Sequence, residues 1–346
     1  ILSNDYPTDT IISFHLTSST FIDPILTRFY SARSHVMMDK SDLVKADIAR
    51  RYASNRVKLY QDGAREPLDL NNPLLLKDFR MICTMKVPVG KVPTDEEFDK
   101  IRTLSVSFES SLSSLKCSPY SINHEDYVIL TRQMLNPSKF PQTQLDPNRE
   151  LSEQIFDFED SIHIDKDHLV VNDRYVRSLS VQRYPEVAIL PQVSHLVGDP
   201  KGSINQILEP FILSTHIYIP DYQAKRDEIR AKGAKLRTQA MGKFGRMFPR
   251  IQMKSDNFQV LMDSIDDGNR PVQIWTNLLL SSDTKDGLDK QTTKVKSFYE
   301  YNSYHLNVDT FLQGPCWQQQ FPMSIIPDVV DLTHKFSTMT SEHACE

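Results

Sequence analysis

The hydrophobic period of the chain switches repeatedly between Phe211 and Val308, and this limits the fold more than any other feature. Phe211–Ile219 carries β-branched and aromatic residues at both parities, the pattern of a strand covered on both faces. Pro220 then opens a helix expected to run to about Phe248. Its seam is Tyr222, Ile229, Gly233, Leu236, Ala240, Phe244 and Met247, at three- and four-residue spacing. Pro249 interrupts that pattern. A second helix follows with Phe258, Leu261, Met262 and Ile265, and Gly268 is placed to end it. Val272–Leu280 reads as a strand, Thr284–Tyr301 as a helix and Tyr304–Val308 as a further strand. The order strand, helix pair, strand, helix, strand predicts a mixed α/β (α+β) fold with a helical hairpin inserted in it.

Upstream, Ile11–Leu16 reads as a short strand. Ser41–Gly63 reads as a helix whose apolar face is Val44, Ile48, Tyr52 and Leu59. Phe79, Met81, Cys83 and Met85 alternate with polar residues and predict a half-buried strand. Thr94 and Glu97 form a capping-box signature, followed by Phe98, Ile101, Leu104, Phe108, Leu112 and Leu115 on one helical face. His124–Leu135 is a further helix, stopped by Pro137. The proline-rich stretch Pro137–Pro147 reads as a linker. It divides the chain into two α/β subdomains, residues 1–140 and 141–346, with the hairpin (221–267) in the second. Behind the linker, Ile162–Ile164, Leu169–Val171 and Arg174–Gln182 form a meander, and Val187–Leu196 is a short amphipathic piece ending at Gly198.

Several chemistries are disfavoured. The chain has only ten glycines in 346 residues, against a usual share of about 7%. A phosphate loop needs the spacing G-x-x-x-x-G-K-[ST] after a strand, so that backbone amides wrap the phosphates. Gly242-Lys243 fails on spacing and lies within the expected helix. Cys83, Cys117, Cys316 and Cys345 are widely separated, which argues against a zinc ribbon or a disulfide framework. No G-x-S-x-G elbow occurs. Asp157, Glu159 and Asp160 read as a solvated loop. The string HIDKDH offers His163, Asp165, Asp167 and His168 as metal ligands converging across a hairpin. Its plainer reading is a polar β-turn, and a metal-dependent enzyme using His163 and His168 is the alternative.

Net charge is −5, yet the stretch from Asp221 to Asp256 holds ten Lys or Arg against four acids, a net +6. Lys225, Arg226, Arg230, Lys232, Lys235, Arg237, Lys243 and Arg246 are therefore candidate partner-binding residues. The partner would be an acidic protein, an anionic membrane surface or nucleic acid. The plainer reading is the solvated face of a helix. Aromatic residues fall on the apolar seam, which suits single-stranded nucleic acid poorly.

Several strings, in order, resemble the TraC family of F-type conjugative type IV secretion ATPases, relatives of the fourth VirB component. They are LDPNRELSEQIFD from Leu145, RYPEVAILPQVSHL from Arg183, EPFILSTHIYIPD from Glu209, then FGRMFPRI and QIWTNLLL. FLQGPCWQQQFPM from Phe311 matches more loosely, departing at Trp317–Gln320. The resemblance implies the N-terminal region of a hexameric, cytoplasmic ATPase that sits peripherally on the bacterial inner membrane. Partners would be inner-membrane secretion components and neighbouring copies of itself. It further implies that the ATP- and magnesium-binding motor lies outside this segment, so that no cofactor and no catalytic residue is expected within it.

Overall fold

A computed structural model describes residues 6–68, 75–135, 145–156, 158–185, 196–197, 207–242, 245, 247–328 and 333–341. The piece Val187–Leu196 with Gly198, most of the Pro137–Pro147 linker, and the side chains Lys243 and Arg246 lie largely or wholly outside them.

The architecture is an open, mixed α/β arrangement around one nine-stranded sheet, with every strand pairing antiparallel. The strands are β1 (Thr10–Ser19), β2 (Asp78–Lys86), β3 (Ile162–Ile164), β4 (Leu169–Val171), β5 (Arg174–Arg183), β6 (Phe211–Ile219), β7 (Pro271–Ser282), β8 (His305–Val308) and β9 (Ser337–Thr340). Their spatial order is β2-β1-β6-β7-β5-β4-β3. β8 extends the row beside β5 and β9 does so beside β7. The sheet draws β1 and β2 from residues 1–140 and the rest from 141–346. Because β1 pairs with β6 from Thr10↔Ile219 to Ser18↔Phe211, both segments share one core.

The helices are α1 (Asp23–Ser31), α2 (Ser34–Met37), α3 (Leu43–Arg65), α4 (Asp95–Ser114), α5 (His124–Leu135), α6 (Tyr222–Met241), α7 (Pro249–Asp266), α8 (Lys285–Tyr301) and α9 (Gln313–Gln318). One sheet face carries Phe211, Ile217, Ile274, Leu278 and Leu280, and is covered by Leu104 and Phe108 of α4 and by Leu288, Val295, Phe298 and Tyr299 of α8. The other carries Ile212 and Leu279 under Met134 and Leu135 of α5 and Trp317 of α9. Each fully buried leucine of this kind contributes roughly 1.5–3 kcal/mol.

Local signals explain most boundaries. Asp42 caps α3 by accepting from the Lys45 amide at 2.9 Å, and Thr284 caps α8 by accepting from Gly287 at 3.1 Å. The capping box of α4 is complete: the Thr94 amide donates to Glu97 at 2.8 Å, and the Glu97 amide to Thr94 Oγ1 at 3.3 Å. Thr94→Ala should therefore lower stability by about 1 kcal/mol, read as a lower urea midpoint at unchanged slope. Gly268, at φ +101°, closes α7 in the left-handed conformation that glycine adopts without strain.

Three expectations are corrected. The apolar row on α3 does not face the core: Val44, Ile48, Tyr52 and Leu59 are exposed, and the helix packs through Ala46, Ala53, Gly63 and Ala64. Small residues let α3 lie close to α1, which turns the larger side chains outward. On β2, Phe79 and Met81 are exposed, because this strand is the sheet edge and α4 covers its other end. The helix after Pro220 stops at Met241, with Gly242 as its C-cap, and α7 starts afresh at Pro249. Gly242 thus ends a helix instead of lying within one.

Candidate functional site

The α6–α7 hairpin leaves the sheet between two strands that pair directly with each other. Asp221 starts it, its carboxylate accepting from the Ala224 amide at 2.8 Å. Twenty residues of α6 extend roughly 30 Å at 1.5 Å per residue. The two helices pack mainly on one another, and their contacts with the sheet gather at β7 and β9. Ile229, Ala240 and Ile265 are buried along the seam, and Phe258 of α7 lies over Gly233.

The basic residues of the arm divide into two groups by their pairing. Lys225 and Lys232 both bind Glu228, Lys225 at 3.0 Å. Hydrogen bonding from Lys232, then from Lys225, holds the Glu228 carboxyl below its usual range. Arg226 bridges to Asp266 of α7 at 2.7 Å, tying the helices together. Arg230, Lys235 and Arg237 are exposed, and among the described residues no carboxylate pairs with them. From Lys232 to Lys254 the sequence has seven Lys or Arg and no acid. Three of the expected contact residues are thus paired with acids of the hairpin, and three carry no acidic partner among the described residues.

HIDKDH forms the β3–β4 turn, closed by the Asp165 amide donating to the His168 carbonyl at 2.9 Å. His163 is exposed, its Nε2 3.8 Å from Asp165. His168 is buried and stacked on Tyr175; its Nε2 is 3.3 Å from Asp165 and its Nδ1 3.0 Å from Asp167. Arg177 neutralises the acidic side of the turn, reaching Asp167 at 2.9 Å and Asp289 of α8 at 2.7 Å. Among the described residues no three His, Cys, Asp or Glu side chains are arranged to hold a metal ion. This geometry is that of a turn fastened to α8 through a guanidinium.

Sequence reading missed a polar layer inside the molecule. Ser13 and His15 of β1, Ser214 and His216 of β6, Trp275 and Asn277 of β7, and Ser178 and Ser180 of β5 share the sheet face that α9 covers. His15 Nδ1 meets Ser214 Oγ at 2.9 Å, and His216 Nδ1 meets Ser13 Oγ at 2.9 Å, so two Ser–His pairs cross the same two strands. The imidazoles are 5.3 Å apart, and His216 lies 5.3 Å from the Trp275 ring. Burial lowers the His15 pKa to about 4 and that of His216 further, with the His15 charge a second cause for His216. Among the described residues His15 Nε2 has no hydrogen-bond partner, the Gln320 side chain near His216 only partly opposes the lowering there, and both serines are buried. A nucleophile–base pair needs an orienting third group and a path for substrate, so this layer is read as structural. Beside it, buried Asp309 accepts from Ser178 at 2.7 Å, Ser180 at 2.8 Å, Asn277 at 3.1 Å and Lys335 at 2.5 Å. The available signal was a serine, histidine or asparagine recurring on one parity of otherwise apolar strands.

Against known families, a family model described as TraC protein matches residues 1–325. The chain belongs to the TraC family. That membership gives it a role in type IV conjugation. No curated protein matches the chain significantly. Among the described residues no helix is long and apolar enough to cross a membrane.

Proposed function

We propose that this TraC-family region is a docking and assembly platform that joins inner-membrane components of the conjugation channel to neighbouring copies of itself. In this reading the residues bind and position, and nucleotide hydrolysis belongs to a motor domain outside residues 1–346. Peripheral attachment to the cytoplasmic side of the inner membrane follows from the same reading. The carrying observation is the arm: Lys225, Arg226 and Lys232 are paired with acids, while Arg230, Lys235 and Arg237 stand exposed with no acidic partner among the described residues. Unpaired, pre-positioned cations on a rigid projection attract an acidic partner at little cost in ordering. Assembly with other copies is supported by the exposed row Val44, Ile48, Tyr52 and Leu59 on α3, an apolar stripe of the sort that marks protein contacts.

The test is charge reversal at Arg230→Glu and Lys235→Glu in the full-length protein. Both side chains are exposed, so the melting temperature should not move. Donor-to-recipient transfer should drop by at least about tenfold, and the protein should shift from the membrane to the soluble fraction. Transfer at the unaltered level would remove the arm from the docking role.

A further inference from the structure

The far end of the arm differs from its shaft. Met241, Met247, Phe248 and Met253 are 75%, 72%, 50% and 54% exposed, and they gather where α6 ends and α7 begins. Arg237, Arg250 and Lys254 are exposed around them. Of the acids of the hairpin, Asp221, Asp227, Glu228, Asp263, Asp266 and Asp267 lie toward the sheet, and Asp256 alone stands in the outer half of α7, accepting from Gln252 at 3.3 Å. The arm is therefore polarised along its length, with a neutralised base and a cationic, apolar tip.

Resting on the docking reading above, we propose that this tip binds an anionic lipid bilayer directly. The three methionines and Phe248 enter the boundary between headgroups and acyl chains, and Arg237, Arg250 and Lys254 meet the lipid phosphates. Apolar side chains ringed by cations are the two-part signal that holds a surface segment on anionic lipid. The shape also selects this occupant. The described tip residues stand at the far ends of two helices packed on one another, whereas a methionine surface that captures a peptide is a groove. Single-stranded nucleic acid needs flat aromatic platforms, and the described tip offers one aromatic ring among three unbranched thioethers.

The experiment sediments the purified protein with vesicles of phosphatidylethanolamine and phosphatidylglycerol, and with phosphatidylcholine alone. Binding is expected to the anionic vesicles, to weaken with added salt, and to be far weaker on phosphatidylcholine. A cation near an anionic surface is worth about fivefold in partitioning. The triple variant Arg237→Gln, Arg250→Gln, Lys254→Gln should thus bind roughly a hundredfold more weakly. Replacing Met241, Met247 and Phe248 by Ser should also release the protein, although no charge changes. In Phe248→Trp protein, brominated acyl chains should quench the new indole. Equal binding to both vesicle types, or no quenching, would overturn insertion. So would binding of single-stranded DNA that the same variants abolish while vesicle binding is absent. If the tip variants leave bare-vesicle binding unchanged but Arg230→Glu with Lys235→Glu detaches the protein from membranes containing the conjugation channel, the lipid contact fails and the docking role stands. If neither set of variants affects either membrane, both fail.

Discussion

Lowering the pH from about 7 to about 5 should cost the fold roughly 2 kcal/mol through His15 alone. Unfolded, this imidazole takes up a proton near its ordinary value of 6.5, whereas burial between β1 and β6 lowers the folded value to about 4. The unfolded chain therefore binds more protons in that window. The stabilisation is complete above the unfolded value and is lost as pH falls from about 6.5 toward 4, reaching roughly 3 kcal/mol. His216 is held lower still by its burial, with the His15 charge 5.3 Å away as a second cause, and should add a comparable loss. Urea titrations at the two pH values measure the effect. Carboxylates contribute to the same slope, so the comparison that isolates the histidines is wild type against the His15→Asn, His216→Asn variant. That variant should start less stable and lose much less on acidification. Parallel losses in the two proteins would show that the pair is not the sensor.

Asp309→Ala should be among the most damaging single substitutions, at about 3–5 kcal/mol. The carboxylate is fully buried and accepts from two serines, an asparagine amide and the Lys335 ammonium. Removing it leaves a half-buried cation and three polar donors facing a hole. Lys335→Met should cost a similar amount for the converse reason, a buried carboxylate stripped of its counter-charge. The informative measurement is the double variant Asp309→Asn, Lys335→Met. Taking both charges away together should be milder than the sum of the single losses by about 1–3 kcal/mol. Additive losses would mean that the two groups do not act as a pair. Lys335 precedes β9, so the ion pair also pins the segment 333–341 to the sheet, and amide exchange in β9 should rise in the same variants.

Much of the fold was legible because several elements carry strong, self-consistent signals. β6 runs from Phe211 to Ile219 as its composition indicates, and α4 and α8 begin where Thr94 and Thr284 cap them. The meander is found residue for residue in β3 and β4. Elements that depend on tertiary support were not legible. α9 holds Gly314 and Pro315 and has too few residues to show a period, and β9 is the polar string STMT, which pairs with the stretch Pro271–Ile274 of β7 that lies beyond the β5 pairing. On α3 the spacing of large apolar residues correctly indicated a helix but not its buried side, since alanines made the contact. The polar layer stayed hidden for a related reason. Serine and histidine alternating along a strand look solvent-facing until α9 is known to cover them. For the candidate site, the density of Lys and Arg marked the hairpin as the basic element of the chain. Which cations are free was set by Glu228 and by Asp266, the latter forty residues from its partner Arg226.

The arm begins at Ile219 and returns at Pro271, the adjoining ends of two strands locked in register from Phe211↔Leu280 to Tyr218↔Gln273. Neighbouring strands lie about 4.8 Å apart, a gap that an ordinary tight turn can also close. The hairpin is thus an interchangeable module on a fixed socket. On the docking reading, partner contact and the pairing of the sheet rest on separate stretches of the chain, so the arm's length and charge can be varied while β6 and β7 keep their register.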